Sequence, residues 1–209
     1  LEADVAIEEK TFPFLLLAET NQGAQNLVRL SGALCSGSYP KGIPLDAFAS
    51  YCEKNILIVY GEGGYIDHEL IQDDDAGIIA KLSFLVSTLG TFYVAVSYQD
   101  SVLWRRKNTL LKQCCRALRL STVAVHKIVY LEEKDAAVFQ VVRAIETGLR
   151  LDDPSLPLLT GRRFLSMPEF AKLYDEDDLR ETDRIADRCK ADWQFEKTSL
   201  PNFPIPEQL

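Results

Sequence analysis

Apolar positions along this chain follow two alternating rhythms. Short β-branched or aliphatic blocks read as strands, and each is followed by a stretch in which apolar residues recur every three or four positions, which reads as a helix. The first third predicts strands over 5–8 and 12–18. A helix follows with Ala24, Leu27, Val28, Ser31 and Leu34 on one face, Thr20 or Asn21 as its N-cap and Gly37 at its end. A loop containing Pro40, Gly42 and Pro44 leads into a short helix built on Leu45, Phe48, Ala49 and Cys52, which stops at Asn55. The run 56–60 is continuously apolar and β-branched, the pattern of a strand buried on both faces and paired in parallel.

Further helix–strand units follow. Ile78, Ile79, Leu82, Leu85, Val86 and Leu89 have helical spacing, and Gly90 separates them from a strand over 91–96. A helix beginning at Trp104 carries Leu111, Cys114, Cys115 and Leu118 on one stripe, with 122–125 as its strand. A helix over 133–146 is expected to bury Val138, Val141, Val142 and Ile145, with Gly148 at the C′ position. Strands alternating with helices of this length predict an α/β protein whose sheet is mostly parallel.

The composition changes after Leu151, which suggests a division into 1–150 and 151–209. Asp152, Asp153, Pro154 and Pro157 form a connector. Ser166 and Glu169 have capping-box spacing at the start of a short helix ending near Tyr174. A charged helix over 176–190 has Leu179, Ile185, Ala186 and Cys189 as its apolar contacts. The tail 200–206 holds three prolines and reads as an extended, semi-rigid spacer leading toward a further domain.

With 209 residues and 47% apolar composition the chain can bury a core of its own, which excludes disordered and fibrous classes. Lys and Arg number 23 against 31 Asp and Glu, a net charge of −8, so a broad nucleic-acid-binding surface is not expected. The stretch 76–96 is about as long as a membrane span, with Lys81 its only charge. Gly90 and the four Ser/Thr residues within it favour a helix and a strand in a soluble protein. The five cysteines show no CxxC spacing, and Cys114 and Cys115 are adjacent, so free thiols in a reducing cytoplasm are expected. The chain starts at Leu1 rather than Met and is read as a piece of something longer.

Candidate chemistry is sparse. His68 and His126 are the two histidines, and neither belongs to an HxH or DxH pair that would point to zinc or manganese. Gly61, Gly63 and Gly64 follow a predicted buried strand, as in phosphate-cradling loops. The P-loop and dinucleotide spacings are absent, however, and Glu62 and Asp67 place negative charge there, so a tight turn is the simpler reading. Arg105, Arg106 and Lys107 form the most basic run, which could contact phosphate but reads first as a solvated helix face. Asp73, Asp74 and Asp75 suit the N-terminus of the following helix. Cys114 and Cys115 read as core thiols, and no Ser sits in a GxSxG elbow.

The order of several segments resembles one family. Residues 14–31, FLLLAETNQGAQNLVRLS, are similar to the stretch LLLAkNeeGyxNLxrLs in the N-terminal PHP (polymerase and histidinol phosphatase) domain of bacterial DNA polymerase III alpha subunits. Residues 144–154, AIETGLRLDDP, resemble that family's cIqTGktldDp. Residues 182–189, TDRIADRC, with 195–197 and 200–206, resemble NTleIAerCnxxfxfgkxxlPxFpvP, the link from PHP domain to polymerase core.

The resemblance implies a distorted (β/α)7-like barrel of the PHP type, truncated at its N-terminal end and followed by a short helical connector. In the family the strand ends of that barrel can hold up to three metal ions for phosphoester hydrolysis. Carried over position by position, Glu2 matches a ligand carboxylate. Pro13, Gln99 and Val129 stand where the family has His, Gly61 where it has Cys and Lys127 where it has Asp, while Tyr130 conforms. Proline, glycine and valine offer no lone pair, and a lysine ammonium repels a divalent ion. The resemblance therefore implies a decayed metal site, with no metal, cofactor or catalytic residue in this span, and Lys127 is expected to fill the vacated place by pairing with Glu2.

The parent would be a cytoplasmic, Mg2+-dependent DNA-directed DNA polymerase acting in replication. Its partners would be the polymerase core of the same polypeptide and, through the parent, DNA and other replisome proteins. No membrane is involved. Two rival readings are a stand-alone PHP phosphoesterase with an unorthodox site around Glu2, His68 and His126, and a free-standing interaction module.

Overall fold

The computed structural model describes residues 1–53, 55–59, 61, 63–72, 74–98, 102–156 and 160–192. Along the chain the elements are β1 (Glu2–Ile7), β2 (Lys10–Ala18), α1 (Asn21–Cys35), β3 (Ile43–Pro44), α2 (Leu45–Tyr51), β4 (Asn55–Val59), α3 (Asp67–Gln72), α4 (Asp75–Leu89), β5 (Tyr93–Ser97), α5 (Val102–Ala117), β6 (Ser121–Val125), α6 (Ala136–Thr147), α7 (Met167–Ala171) and α8 (Glu176–Arg188). The chain is α/β, as its rhythm predicts.

The strands form one six-stranded sheet in the order β3-β1-β2-β4-β5-β6. It is mixed rather than mostly parallel. β2 runs antiparallel to both β1 and β4, whereas β1–β3, β4–β5 and β5–β6 are parallel. The apolar run of β4 is buried on both faces whichever way its neighbours point, so its composition could not reveal that one neighbour is antiparallel. Residue 60, read as the end of that strand, lies outside the described residues. The two-residue β3 was not foreseen. It sits at the sheet edge, where Pro44 costs no ladder hydrogen bond. Gly42, at φ +83°, brings the chain there so closely that a Cβ would lie 2.6 Å from Thr11 Cγ2.

Period-two alternation sorts the strands between two cores. Val5, Phe14, Leu16, Leu57, Val59, Val94 and Val96 face a large cluster closed by Leu30, Phe48, Ile78, Leu82, Leu85 and Leu111 from the helices. Leu15, Leu17, Ile58, Ala95 and Val123 face a smaller cluster, which Ile185 and Cys189 of α8 cover. Each fully buried aliphatic or aromatic side chain stabilises the fold by about 1.5–3 kcal/mol, so the larger cluster dominates.

The helices depart from the predicted faces in instructive ways. α1 is capped by Thr20, whose Oγ1 accepts from the Gly23 amide at 3.1 Å. It turns Leu30 rather than Val28 to the core: Leu30 is fully buried and Val28 is 54% exposed, because Leu30 lies three and four residues from Leu27 and Leu34 on the core-facing side, whereas Val28 sits almost opposite Leu30 on the helix. α3 occupies a stretch for which the sequence predicts no element. α4 begins after Asp74, whose side chain caps Gly77, as the acidic run predicts; Asp73 lies outside the described residues. α4 and β5 take the apolar stretch 76–96, and no helix among the described residues is long and apolar enough to cross a membrane.

Helix α8 turns Asp178, Thr182 and Ile185 inward and its C-cap residue Cys189 follows them, a stripe in which two of four residues are polar, while Ala186 is exposed against expectation. The polar members serve the edge strand β6. Thr122 Oγ1 donates to Asp178 Oδ1 at 2.5 Å, and Thr182 Oγ1 donates to the Ala124 carbonyl at 3.4 Å. An edge that would otherwise present open backbone groups is thereby covered.

Helix α6 contradicts its prediction outright. Val138, Val141, Val142 and Ile145, expected in the core, are 64%, 41%, 53% and 77% exposed. The helix turns Ala136, Phe139, Gln140, Arg143 and Ala144 toward the chain instead. Gly148 ends it in the left-handed conformation, at φ +68°, as the sequence predicts.

Candidate strand-end site

Because β4, β5 and β6 are parallel, their C-terminal ends share one rim of the sheet, and the antiparallel β2 brings its N-terminal half there. In an α/β sheet this rim is where ligands bind. Pro13 lies on β2 opposite Asp4, one residue before the Phe14–Val59 pair. Gly61 follows β4, buried so tightly that a Cβ would lie 3.2 Å from the Ala95 carbonyl. Lys127 and Val129 follow β6, the former exposed and the latter half-buried. Gln99 lies outside the described residues.

Glu2 does not join this group. Its partner is Leu15, and the pairs Leu15–Ile58, Ile58–Tyr93 and Tyr93–Ser121 put it level with the N-terminal ends of β5 and β6. Four strand-to-strand steps, about 19 Å at the usual spacing, separate β1 from β6 before the six-residue offset to Lys127 is added. The expected Glu2–Lys127 pair is therefore not formed. Among the described residues no group of three or more His, Cys, Asp or Glu side chains converges to hold a metal ion. The donor set at the rim does not fit one, since Pro13, Gly61 and Val129 have no side-chain donor and Lys127 is a cation.

The strand ends are occupied by the chain's own side chains. Tyr174 Oη donates to the Val125 carbonyl at 2.7 Å and accepts from the Tyr98 amide at 3.3 Å, bridging β5 and β6. Burial pushes its pKa up to about 12, so it stays a neutral donor. Asn108 Nδ2 donates to the Ser97 carbonyl at 2.8 Å, and the His126 ring Nε2 lies 3.0 Å from the Arg163 carbonyl. These groups use backbone acceptors that a ligand at the rim would otherwise meet. His68, by contrast, is exposed on α3, which follows β4, and lies beside Glu69.

Below the rim, between α5 and α8, Lys112 Nζ donates to Asp178 Oδ2 and, at 2.5 Å, to Asp175 Oδ2. Burial alone would lower the lysine's pKa. The hydrogen bonds and charges of the two carboxylates outweigh it and raise the pKa, so the ammonium is held. An open cleft of about 440 Å³ lies beside it, lined by Arg105, Lys172, Tyr98 and Tyr174 among others. Sequence reasoning missed Lys112, Tyr174 and Asp178. Helical spacing from Ile185 back to Asp178 was the one signal that could have placed the aspartate inward.

The basic run does not act as one patch. Arg105 lines that cleft, Arg106 lines a separate depression beside Asp75, and Lys107 is buried with its ammonium 4.8 Å from the centre of the Trp104 ring. Lys107 is thus no part of a solvated face. It lies four residues before Leu111, on the stripe that faces the core. The paired cysteines are core thiols as read: both are buried, and burial pushes Cys115 up to about 12.

No family model matches the chain. Comparison with individual proteins instead finds subunits of a bacterial DNA polymerase. DNA polymerase III subunit alpha of Bacillus subtilis strain 168 is 30% identical over 96% of this chain, and those of Thermus aquaticus and Pseudomonas aeruginosa are each 28% identical over 94% and 93% of it. The chain spans 18%, 17% and 17% of these relatives' own lengths. The chain is thus a homologue of part of the DNA polymerase III alpha subunit.

Proposed function

We propose that this chain is the PHP-type portion, with its connector, of a DNA polymerase III alpha subunit, and that it serves that polymerase as a structural part. The similarity to alpha subunits over 96% of the chain carries the reading. On this reading the six strands belong to a barrel of the PHP type, with 1–150 as the domain and 151–209 as the connector toward the polymerase core. The parent is a cytoplasmic DNA-directed DNA polymerase that uses Mg2+ at residues outside this chain and meets DNA and other replisome proteins through its other parts.

The strand-end rim supports a structural rather than a hydrolytic role. Pro13, Gly61 and Val129 offer no ligand, Lys127 repels a divalent ion, and Tyr174 and Asn108 occupy strand-end carbonyls. The test is primer extension by the purified product of the gene that encodes this chain. Template-directed addition of deoxynucleotides is expected, and a product that extends no primer overturns the proposal. Elemental analysis of the same protein separates the rival reading. About one equivalent or more of zinc, manganese or iron per chain, with phosphoester hydrolysis, would make the domain an enzyme in its own right.

A further inference from the structure

The apolar side chains of this protein are unevenly satisfied. Of the thirteen large hydrophobic side chains that stand exposed among the described residues, nine lie within 126–171. Their centre is α6, where Val138, Val141, Val142 and Ile145 follow the i, i+3, i+4, i+7 spacing of a single helix face. The helix is inverted with respect to the chain, since its polar Gln140 and Arg143 are half-buried and its four-residue apolar stripe is in water. Leu131, which precedes this helical unit, is 72% exposed. Phe164, whose amide donates to the Tyr130 carbonyl at 3.0 Å, is 59% exposed beside it.

Helix α6 is nonetheless capped at both ends. A 3₁₀ turn over Glu133–Asp135 leads into it through a reciprocal capping box between Glu132 and Asp135, and Gly148 closes it in the left-handed conformation. Phe139 packs on Tyr130 with ring centres 6.2 Å apart, and Tyr130 Oη accepts from the Arg162 amide at 3.0 Å. A capped helix thus presents an apolar stripe to water.

We infer that this face of α6, together with Leu131 and Phe164, is the surface on which the remainder of the polymerase polypeptide docks. The inference rests on the reading of the chain as part of an alpha subunit and adds where the two parts meet. Two observations select the occupant. The relatives of this chain carry more than four-fifths of their length beyond the matched part, so a covalently attached partner is at hand. The stripe with Leu131 and Phe164 exposes on the order of 600 Å² of largely apolar surface, below the roughly 800 Å² per partner that a freely associating pair needs. A partner on the same polypeptide needs less, because tethering replaces most of the entropy cost of association.

The test places a photo-cross-linking amino acid at Val142 in the full product of the gene and maps the cross-link by mass spectrometry. A link within one polypeptide, to a residue outside the 209, is expected. A link between two copies, a link back into the 209 residues, or reaction with water alone overturns the inference. A paired variant, Val142→Glu with Ile145→Glu, gives a second readout. The 209-residue chain should keep its melting temperature to within about 2 °C, since the side chains are exposed, whereas the full product should melt earlier. Equal melting of the full product with and without the substitutions also overturns it. Primer extension by the unsubstituted product reports on the polymerase reading separately. A product that cross-links as expected but extends no primer keeps the surface and removes that reading.

Discussion

β2 sends Phe14 and Leu16 into one core and Leu15 and Leu17 toward the other, so that both sides of the strand find apolar neighbours within the chain. α6 carries an equally regular pattern and leaves its four best apolar residues in water. The sheet body and the described residues of 126–171 differ in what holds them. The body rests on side chains such as Phe48, Leu82 and Val94, all fully buried. The outer segment buries only Tyr130, Ala144, Leu156 and Arg162, and is held by polar contacts. Glu133 Oε1 accepts from the Gly161 amide at 3.1 Å, and Glu169 joins Arg163 at 2.5 Å and Ser166 Oγ at 2.7 Å. An amphipathic pattern states that a face will be covered, but it does not state that the same stretch of chain supplies the cover.

That contrast can be broken at its strongest point first. Phe48→Ala, which removes a fully buried ring 5.4 Å from Phe14, should cost about 3–5 kcal/mol in denaturant unfolding, whereas Val142→Ala in the 209-residue chain should cost under about 0.5 kcal/mol. Comparable losses at the two sites would erase the distinction. Next in size, Asp178→Ala strands Lys112 beside a single carboxylate. The expected loss is about 2–3 kcal/mol, below that of a sealed pair because the Lys112 side chain is 16% exposed.

Smaller effects sharpen the picture of the outer segment. Gly148→Ala forces a side chain into the left-handed region and should cost about 1 kcal/mol, read as fraying of α6 in hydrogen exchange while β5 is unaffected. The smallest effect is an acid one. The hydrogen bonds from Arg163 and Ser166 hold the Glu169 carboxyl at about 2, well below the usual glutamate range. A depressed folded-state value means that its contribution is complete above the usual range and is lost as pH falls toward about 2. Carboxyl titration by NMR should show the low value in the native chain, and Arg163→Ala should return it upward.

The alternation of strands and helices, the Thr20, Asp74 and Ser166 caps and the Gly148 stop were legible because each rests on chemistry within four residues. What was missed depends on partners distant in sequence. β4 gives no sign of the antiparallel β2 beside it, β3 is a strand only because Val5 and Ala6 lie next to it, and Lys107 is buried because Trp104 and the α5 stripe fold over the core. At the strand-end rim the unsuitable residues Pro13, Gly61, Lys127 and Val129 were visible in the sequence. The plug formed by Tyr174 was not, because it joins residues 76 and 49 positions apart. For Val138 and Ile145 the period was read correctly and the burial was not, since period alone carries no information about who supplies the opposing surface.

Native-state hydrogen exchange on the 209-residue chain, followed by the same measurement on the full gene product, tests the contrast between the two regions most directly. Amides of β2, β4 and β5 should open only with global unfolding in both. Those of α6 should exchange through a cheaper local opening in the shorter chain and gain protection in the longer product. Protection of α6 equal to that of β5 in the 209-residue chain would contradict the account, because the outer segment would then be complete without any partner.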